Sequence, residues 1–193
     1  MFIYFDTEFT GLQKNTDLIS IGMIAEDGKT FYAEFMDFDE SKCDDWIKEN
    51  ITSELLHVRY PEIWEEGVAD KQVVGTKKEV MYALNDWLQQ FPEIQFVSDV
   101  CHYDFVLLID LFGSAWDLPQ NVSPVCHDVN EDIRRLWGLN DFQAFNVSRE
   151  EFLEKYDRQI PDGKKHNSLY DAKVIRLCHF VIKDSEKEGG MLT

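Results

Sequence analysis

The chain opens with an apolar run, Phe2 to Phe5, that leads directly into two carboxylates, Asp6 and Glu8. Phe, Ile and Tyr favour strands, and residues i and i+2 of a strand point to the same face. Asp6 and Glu8 are therefore predicted to stand side by side at the end of a buried strand. Repulsion and desolvation destabilise such a pair, and a hard divalent cation with oxygen ligands relieves both. The alternative is a strand that ends in solvent with two ordinary surface acids.

The length of 193 residues predicts one domain, and the apolar content of 44% is that of a globular protein. We expect a single domain over residues 1–184 and a flexible C-terminal tail at 185–193. The four cysteines lie far apart without a CxxC pair, which favours reduced thiols and a cytoplasmic location. The sequence contains no signal-peptide pattern and no membrane-length apolar run, so no membrane association is expected.

The formal net charge of −18 limits the classes of nucleic-acid protein that this chain can be. An acidic surface lacks the long-range attraction to phosphates that drives nonspecific duplex binding. This argues against a protein that wraps or slides along DNA. It still permits an enzyme that grips a short nucleic-acid end and recruits cations with its acids.

Hydrophobic patterns and turn residues predict a mixed α/β organisation. Strands are expected at residues 2–5, 18–25, 30–36, 94–98 and 122–126. Helices are expected near residues 44–51, 77–88, 103–112, 129–137, 149–156 and 168–183. Residues 55–73 carry no clear pattern, and the rest of 139–165 is expected to be loop. An antiparallel three-strand meander that feeds into later β-α units predicts a mixed sheet covered by helices.

Four carboxylates and one histidine fall at the boundaries of these elements. Asp6 and Glu8 end the first strand, and Asp104 begins the helix after the fourth. His166 precedes the final helix, and Asp171 lies in its first turns. Open α/β sheets place their ligands at such strand ends and helix starts.

The segments FDTEFTGL, YDFVLL and HNSLYDA, in this order, resemble the three motifs of the DEDDh 3′–5′ exonucleases. They span positions 6 to 171, which is most of the chain. The resemblance implies an RNase H-like fold and a metal-dependent exonuclease. The segment DLISIGMIAEDG further resembles small bacterial exoribonucleases of the RNase AS type, which trim adenylate-rich 3′ ends. The expected substrate is therefore the 3′ end of single-stranded RNA, and the expected products are nucleoside monophosphates.

One departure concerns the second motif, because the wider family often carries a His-Asn pair ahead of its acid. Here Asp99 and Val100 precede Asp104 by five and four residues. Either Asp99 or Asp104 is compatible with the role of second-motif acid. We favour Asp104, which keeps the aromatic-Asp-apolar pattern and opens a helix.

The resemblance also implies a mechanism with two Mg²⁺ ions, for which Mn²⁺ can substitute. Asp6 would bridge the ions, and Glu8 and Asp171 would bind the ion nearer the nucleophile. Asp104 would hold the other ion through water. His166 would act as the general base, because the free pKa of histidine lies near working pH. The alternative for His166 is an ordinary surface-loop histidine.

Four residues are candidates for substrate contacts. Phe9 is placed to stack on the terminal base, and Thr10 and Gly11 to offer backbone donors to the 3′ end. Lys165 is placed to attract phosphate. The alternatives are a core position for Phe9 and a solvated loop for the lysine.

Two other functions are compatible with these patterns. A proofreading-type 3′–5′ exodeoxyribonuclease would carry the same motifs, because they do not encode the choice of sugar. A non-cleaving nucleic-acid-binding module would use the same fold, although no motif acid is missing here. A homodimer is also compatible with the resemblance to the small exoribonucleases.

Overall fold

A computed structural model describes residues 1–189, which form one six-stranded mixed sheet with helices on both faces. The strands are β1 (Phe2–Phe9), β2 (Leu18–Ala25), β3 (Thr30–Phe35), β4 (Lys71–Gly75), β5 (Gln95–Ser98) and β6 (His127–Asp128). The helices are α1 (Asp45–Asn50), α2 (Leu56–Arg59), α3 (Pro61–Glu66), α4 (Lys77–Leu88), α5 (His102–Phe112), α6 (Val129–Trp137), α7 (Asp141–Phe145), α8 (Arg149–Lys155) and α9 (Ser168–Gly189). Two 3₁₀ turns, Glu40–Lys42 and Thr52–Glu54, flank α1.

The sheet has the order β4-β3-β2-β1-β5-β6, so that β1 lies near its centre. The meander β1-β2-β3 is antiparallel, and the pairs β3-β4, β1-β5 and β5-β6 are parallel. This arrangement confirms the predicted α/β class and its mixed sheet.

Each face of the sheet carries its own hydrophobic cluster. Ile3 and Phe5 pack with Val80 of α4 and Leu108 of α5 on one face. Tyr4 packs with Val174 of α9, as well as with residues of α6 and α8, on the other. Because neighbouring strand residues point to opposite faces, the apolar start of β1 contributes to both clusters.

Several element boundaries differ from the prediction. The edge strand β4 lies largely in the segment that showed no pattern, and α7 lies in the predicted loop. The fifth predicted strand, 122–126, contains Pro124, which cannot donate to a ladder. Pairing there is reduced to a bridge between Val122 and Ile94, and the strand β6 begins only after the predicted segment, at His127.

The first strand and the last helix both extend beyond their predicted bounds. Strand β1 continues past Phe5 to Phe9, so the two carboxylates lie within it rather than beyond its end. Helix α9 continues to Gly189, through the start of the predicted tail, and residues 190–193 lie outside the described part of the chain. None of the helices within residues 1–189 is both long enough and apolar enough to span a membrane.

Candidate active site

Strand β1 distributes its side chains between the two faces of the sheet, and this alternation prepares the site. Tyr4 belongs to the cluster that includes α9, and Phe5 to the cluster that includes α5. Asp6 and Glu8 share the parity of Tyr4 and therefore lie on the α9 side, whereas Thr7 lies on the α5 side. The predicted side-by-side placement of the two carboxylates follows directly from this alternation.

Helix α9 brings a third carboxylate to this pair. Asp171 lies in the first turn of α9, and ligand oxygens of Asp6, Glu8 and Asp171 all lie within 4.8 Å of one another. All three are acids predicted from the motifs. Their oxygen atoms form a donor set of the kind that a hard divalent cation prefers.

Helix α9 reaches the sheet so closely because of one glycine. Gly22 of β2 stands opposite Asp6 of β1, and a Cβ at Gly22 would lie only 2.2 Å from the backbone nitrogen of Leu169. The hydroxyls of Ser20 and Ser168, which lie 3.0 Å apart, join the strand and the helix at the same place. The absent side chain thus allows α9 to carry Asp171 up to β1.

A fourth carboxylate comes from the opposite face of the sheet. Asp104, in the first turn of α5, is 5% exposed and accepts hydrogen bonds from Thr7. The Thr7 backbone N–H donates at 2.9 Å and its hydroxyl donates at 2.6 Å, both to Oδ1 of Asp104. Asp104 lines the same cavity as Asp6, Glu8 and Asp171, so β1 collects carboxylates from both sides.

The other candidate for the second-motif acid, Asp99, is held in a different way. Its carboxylate forms two hydrogen bonds with the guanidinium of Arg149, at 2.6 and 2.7 Å. Arg149 is buried and also donates to the carbonyls of Ala144 and Val147. Asp99 is therefore tied to the segment of α7 and α8, and the geometry favours Asp104 as the fourth acid.

His166 stands at the rim of the cavity, on the loop before α9. Its backbone N–H donates to Oδ2 of Asp171 at 2.9 Å. Its φ of +67° lies in the left-handed region, which residues other than glycine rarely adopt. Burial lowers the pKa of His166, and the positive charge of Lys165 acts in the same direction. The imidazole is therefore neutral at neutral pH and is free to accept a proton.

Burial disfavours the charged form of all four carboxyls, and repulsion from neighbouring acids adds to this effect. Burial, and then the charges of its acidic neighbours, raise the pKa of Asp6 well above its usual range, and the same causes act on Glu8. Burial raises the pKa of Asp104 to about 6, although its bonds from Thr7 oppose this rise. Burial likewise raises the pKa of Asp171 to about 7. These carboxyls resist ionisation because too little positive charge lies close to them to stabilise their charged forms. Bound divalent cations would supply that positive charge.

The predicted substrate-contact residues fall into different places. Phe9 is half buried and lines two adjoining cavities, the one of about 420 Å³ that holds the carboxylates and a neighbour of about 360 Å³. Gly11 lines the second cavity, and Lys165 lines the first. The Lys165 ammonium lies 3.7 Å from a carboxylate oxygen of Glu150.

The prediction that Thr10 offers a backbone donor to the 3′ end does not fit its hydrogen bonds. Its N–H donates to the carbonyl of Asp17 at 2.9 Å, and its hydroxyl accepts from the Asp17 N–H at 2.9 Å. Thr10 is also 1% exposed. Its hydrogen-bonding groups therefore close the loop between β1 and β2 and are not available to a 3′ end.

Sequence reasoning missed several residues that shape the site. Thr7 holds Asp104, Arg149 holds Asp99, and Trp46 contacts the ring of His166. Tyr103 and Phe145 line the carboxylate cavity. Two of these residues adjoin predicted acids: Thr7 lies between Asp6 and Glu8 and must point to the other face, and Tyr103 directly precedes Asp104. The other three come from segments outside the motifs, which only the fold brings to the site.

A second group of potential ligands, His127, Asp132 and His179, lies apart from these carboxylates. His127 and Asp132 form a hydrogen bond at 2.5 Å, and Arg135 also pairs with Asp132. The ring of His179 bonds to the hydroxyl of Tyr4 at 3.0 Å. Because a cationic guanidinium already neutralises the carboxylate, we interpret this group as a structural hydrogen-bond network.

Together the mixed sheet, the acids of β1, α5 and α9 and the neighbouring histidine define a class of protein. It is the class of 3′–5′ exonucleases, whose fold this sheet shares with a solved DEDDh nuclease domain, and three of the carboxylates are placed so that they could hold a metal ion. Within it, residues 1–181 match the family described as the 3′-5′ exoribonuclease Rv2179c-like domain, and the chain belongs to that family. The predicted family resemblance and the predicted assignment as an exoribonuclease are thereby confirmed.

Similar proteins agree with this assignment. The 3′-5′ exoribonuclease Rv2179c of Mycobacterium tuberculosis strain H37Rv is 27% identical over 136 residues, which cover 69% of this chain and 72% of the relative. The 3′-5′ exoribonuclease MT2234.1 of strain CDC 1551 matches over the same length with the same identity. These relatives support a nuclease rather than a non-cleaving module.

Solved structures agree on the fold. The nuclease domain of 3′hExo, a DEDDh family member bound to rAMP, has a TM-score of 0.60 and 14% identity, and the match covers 96% of this chain and 92% of that one. A 3′-exonuclease in a structure of 3′-end specific recognition of histone mRNA stem-loop has a TM-score of 0.57 and 14% identity. That match covers 95% of this chain and 63% of the exonuclease chain.

Proposed function

We propose that this protein shortens single-stranded RNA from its 3′ end and releases nucleoside monophosphates. The observation that carries the proposal is the convergence of four carboxylates and one histidine on a single cavity of about 420 Å³. These residues come from β1, α5, α9 and the loop before α9, which are the elements on which the three motifs lie. Phosphodiester hydrolysis needs an activated water and a stabilised leaving oxygen, and this set of groups suits both tasks.

We propose Asp6, Glu8, Asp104 and Asp171 as the residues that would hold two divalent cations. Mg²⁺ is the expected metal and Mn²⁺ its substitute, because all the donor atoms are carboxylate oxygens. Bound cations would lower the pKa of the attacking water and neutralise charge on the leaving oxygen. Asp6 is proposed for the central position, because the charges of Asp104, Asp171 and Glu8 all act on its carboxyl and all four acids line the same cavity.

We assign the role of general base to His166. Its imidazole lines the carboxylate cavity and is neutral at neutral pH, so that it can take the proton of the attacking water. The bond from its backbone N–H to Asp171 links the position of the base to the position of an acid. Thr7 acts on the opposite side of β1, where its two hydrogen bonds fix the carboxylate of Asp104.

RNA is the proposed substrate because the M. tuberculosis relatives are named exoribonucleases. The net charge of −18 favours contact with a short 3′ end over contact with a long duplex. Phe9, at the junction of the two cavities, is proposed to stack on the terminal base. Gly11 and Lys165 are proposed to contact the sugar-phosphate end. The exodeoxyribonuclease alternative is not favoured.

Two further features remain proposals from the sequence. We propose that the protein is a homodimer, which light scattering of the purified protein would test. We also propose a cytoplasmic location, in keeping with four cysteines that are all free thiols. Fractionation of the source cells with an antibody against the protein would test the location.

A labelled-oligonucleotide assay tests the proposed activity. RNA and DNA strands of one sequence, each carrying a 5′ label, are incubated with the protein and Mg²⁺, Mn²⁺ or EDTA. We expect a ladder that shortens from the 3′ end of RNA, needs a divalent cation and yields nucleoside monophosphates. A ladder on DNA alone would overturn the choice of substrate, and the absence of cleavage with either metal would overturn the enzyme.

Two matched variants on helix α5 distinguish loss of an acid of the site from loss of any acidic side chain. Asp104→Asn removes a buried acid of the cavity, and Asp110→Asn removes an exposed acid of the same helix α5. We expect Asp104→Asn to abolish the ladder and Asp110→Asn to leave it unchanged. Equal activity of the two variants would exclude Asp104 from the site.

A further inference from the structure

The backbone of His166 adopts a strained conformation that its surroundings must maintain. A left-handed φ of +67° is unfavourable for a residue with a side chain, and it persists only where neighbouring contacts over-determine it. Among the described residues, no side chain forms a hydrogen bond with the imidazole. The supports of His166 must therefore act through ring contacts or through the adjacent backbone.

The ring has one such support in Trp46. The two ring centroids lie 5.0 Å apart with an interplanar angle of 82°, an edge-to-face arrangement. Trp46 is the second residue of α1, and its neighbour Ile47 is buried in a cluster with Ile19 of β2. The side chain of Asp44 caps α1 by accepting from the Ile47 N–H at 2.8 Å. A short anchored helix thus presents Trp46 to His166.

The backbone has a second support, through the next residue along the chain. The side-chain amide of Asn167 donates to the hydroxyl of Tyr32 at 3.3 Å, and its oxygen accepts from the Tyr170 N–H at 3.1 Å. The Tyr32 hydroxyl in turn donates to the carboxylate of Glu34 at 2.6 Å. Asn167 therefore joins the histidine loop both to β3 and to the first turn of α9.

Glu34 makes this support rigid. It is a charged residue in a strand with 0% exposure, and its carboxylate accepts from the backbone N–H groups of Leu56 and His57 at 2.7 and 3.1 Å. The ring of His57 also bonds to it. A buried carboxylate with several donors is costly to disrupt, so the Tyr32 hydroxyl has a fixed partner.

We propose that Trp46 and Tyr32 are positioning residues for His166: Trp46 holds its ring, and Tyr32 holds its loop through Asn167. The proposal rests on the role of His166 as general base. It differs from a role in substrate binding, because neither side chain has to touch RNA. Loss of either support lets the imidazole leave its place, so fewer molecules hold a productive geometry at any moment.

Steady-state kinetics on single-stranded RNA test the proposal. We expect Trp46→Ala and Tyr32→Phe to lower kcat by about tenfold or more while KM changes less than about threefold. Trp46→Phe should recover most of the activity, since it restores an aromatic contact. Trp116→Ala, at a residue that is 97% exposed, is the matched control and should match the wild type. A raised KM with unchanged kcat would overturn the proposal, because it would identify Trp46 as a substrate contact.

A double-mutant cycle separates positioning from general damage to the fold. In a His166→Ala protein, assayed in single turnover with Mn²⁺, Trp46→Ala should cause no further loss of rate. An equal loss in both backgrounds would overturn the proposal. A second readout needs no activity: the NMR signals of the His166 ring should shift in Trp46→Ala and stay in place in Trp116→Ala. If the wild-type protein cleaves no RNA, the proposed function fails, whereas an unshifted ring signal refutes the positioning role alone.

Discussion

Gly22→Ala should disable the protein although it adds a single methyl group outside the carboxylates. The added Cβ would lie 2.2 Å from the Leu169 nitrogen, 2.3 Å from the Ser168 carbonyl carbon and 2.4 Å from the Leu169 Cα. Ordinary contact begins near 3.4 Å, so β2 and α9 would have to separate by about 1 Å. Backbone atoms of a helix cannot rotate away as the end of a side chain can.

We expect this separation to affect stability and activity together. Overpacking of this kind costs about 2–3 kcal/mol, which for a chain of this length lowers Tm by roughly 4–12 °C. Asp171 lies in the same first turn of α9 as Ser168 and Leu169, so it would move away from Asp6, which stands opposite Gly22. A displacement near 1 Å in a reacting site can reduce the rate on the order of a hundredfold. Thermal denaturation and the 3′-end ladder assay measure the two effects.

The matched control is the same substitution at Gly75 of β4. A Cβ there would meet the side chain of Glu79, with Oε2 at 2.9 Å and Cβ at 3.1 Å, rather than the backbone of another element. Displacing this side chain would disturb at most the capping box of α4, which lies outside the site. Gly75→Ala should therefore change Tm by less than about 3 °C and leave the rate of cleavage unchanged. If Gly22→Ala kept both the Tm and the rate of the wild type, close approach of α9 would not be what builds the site.

Three further predictions concern charge and hydrogen bonding. Carboxyls with a raised pKa bind more protons in the folded state, so the metal-free protein should become less stable as the pH rises from 5 to 8. Asp6→Asn should reduce the dependence of Tm on pH, measured by thermal denaturation with EDTA, and an unchanged dependence would contradict the prediction. Thr7→Val removes a hydrogen-bond donor to Asp104, so the pKa of Asp104 should rise above about 6. The cleavage rate near pH 6 should then fall about tenfold, and a pH–rate profile like that of the wild type would show that the hydroxyl does not tune Asp104. The hydrogen bond that the His127 ring donates to the Asp132 carboxylate raises the pKa of His127, so the stabilisation from this pair is complete below pH 6.5 and is lost as the pH rises further. Asp132→Asn should therefore cost about 1 kcal/mol more at pH 6 than at pH 9, and equal costs would refute the link.

The sequence was sufficient for the regular parts of the fold. Thr76 and Glu79 predict a helix start, and the structure has the full capping box there. Strands β1, β2 and β3 follow from apolar runs and a hairpin turn, and they form the predicted meander. The edge strand β4 was missed because it pairs in parallel with β3, which is distant in sequence. Its first residue, Lys71, pairs with Phe31, 40 residues earlier.

The substrate contacts show where local reasoning fails. Thr10 follows the acids by position, and sequence gives no reason to doubt that its N–H is free. The loop between β1 and β2 nevertheless folds back so that Asp17 takes that donor. Trp46, in contrast, was given no role from the sequence although its ring contacts that of His166. A partly exposed aromatic residue on a short helix carries no sign of a partner 120 residues away.

The amino-acid sequence by itself determined which groups can do chemistry, because strand alternation fixes the faces of Asp6, Thr7 and Glu8 whatever surrounds them. It also determined the order of the motifs and hence the family. Only the tertiary structure decided how these groups meet. The distance between Asp6 and Asp171 depends on a missing side chain at Gly22, which is a packing relation between distant segments and leaves no local pattern.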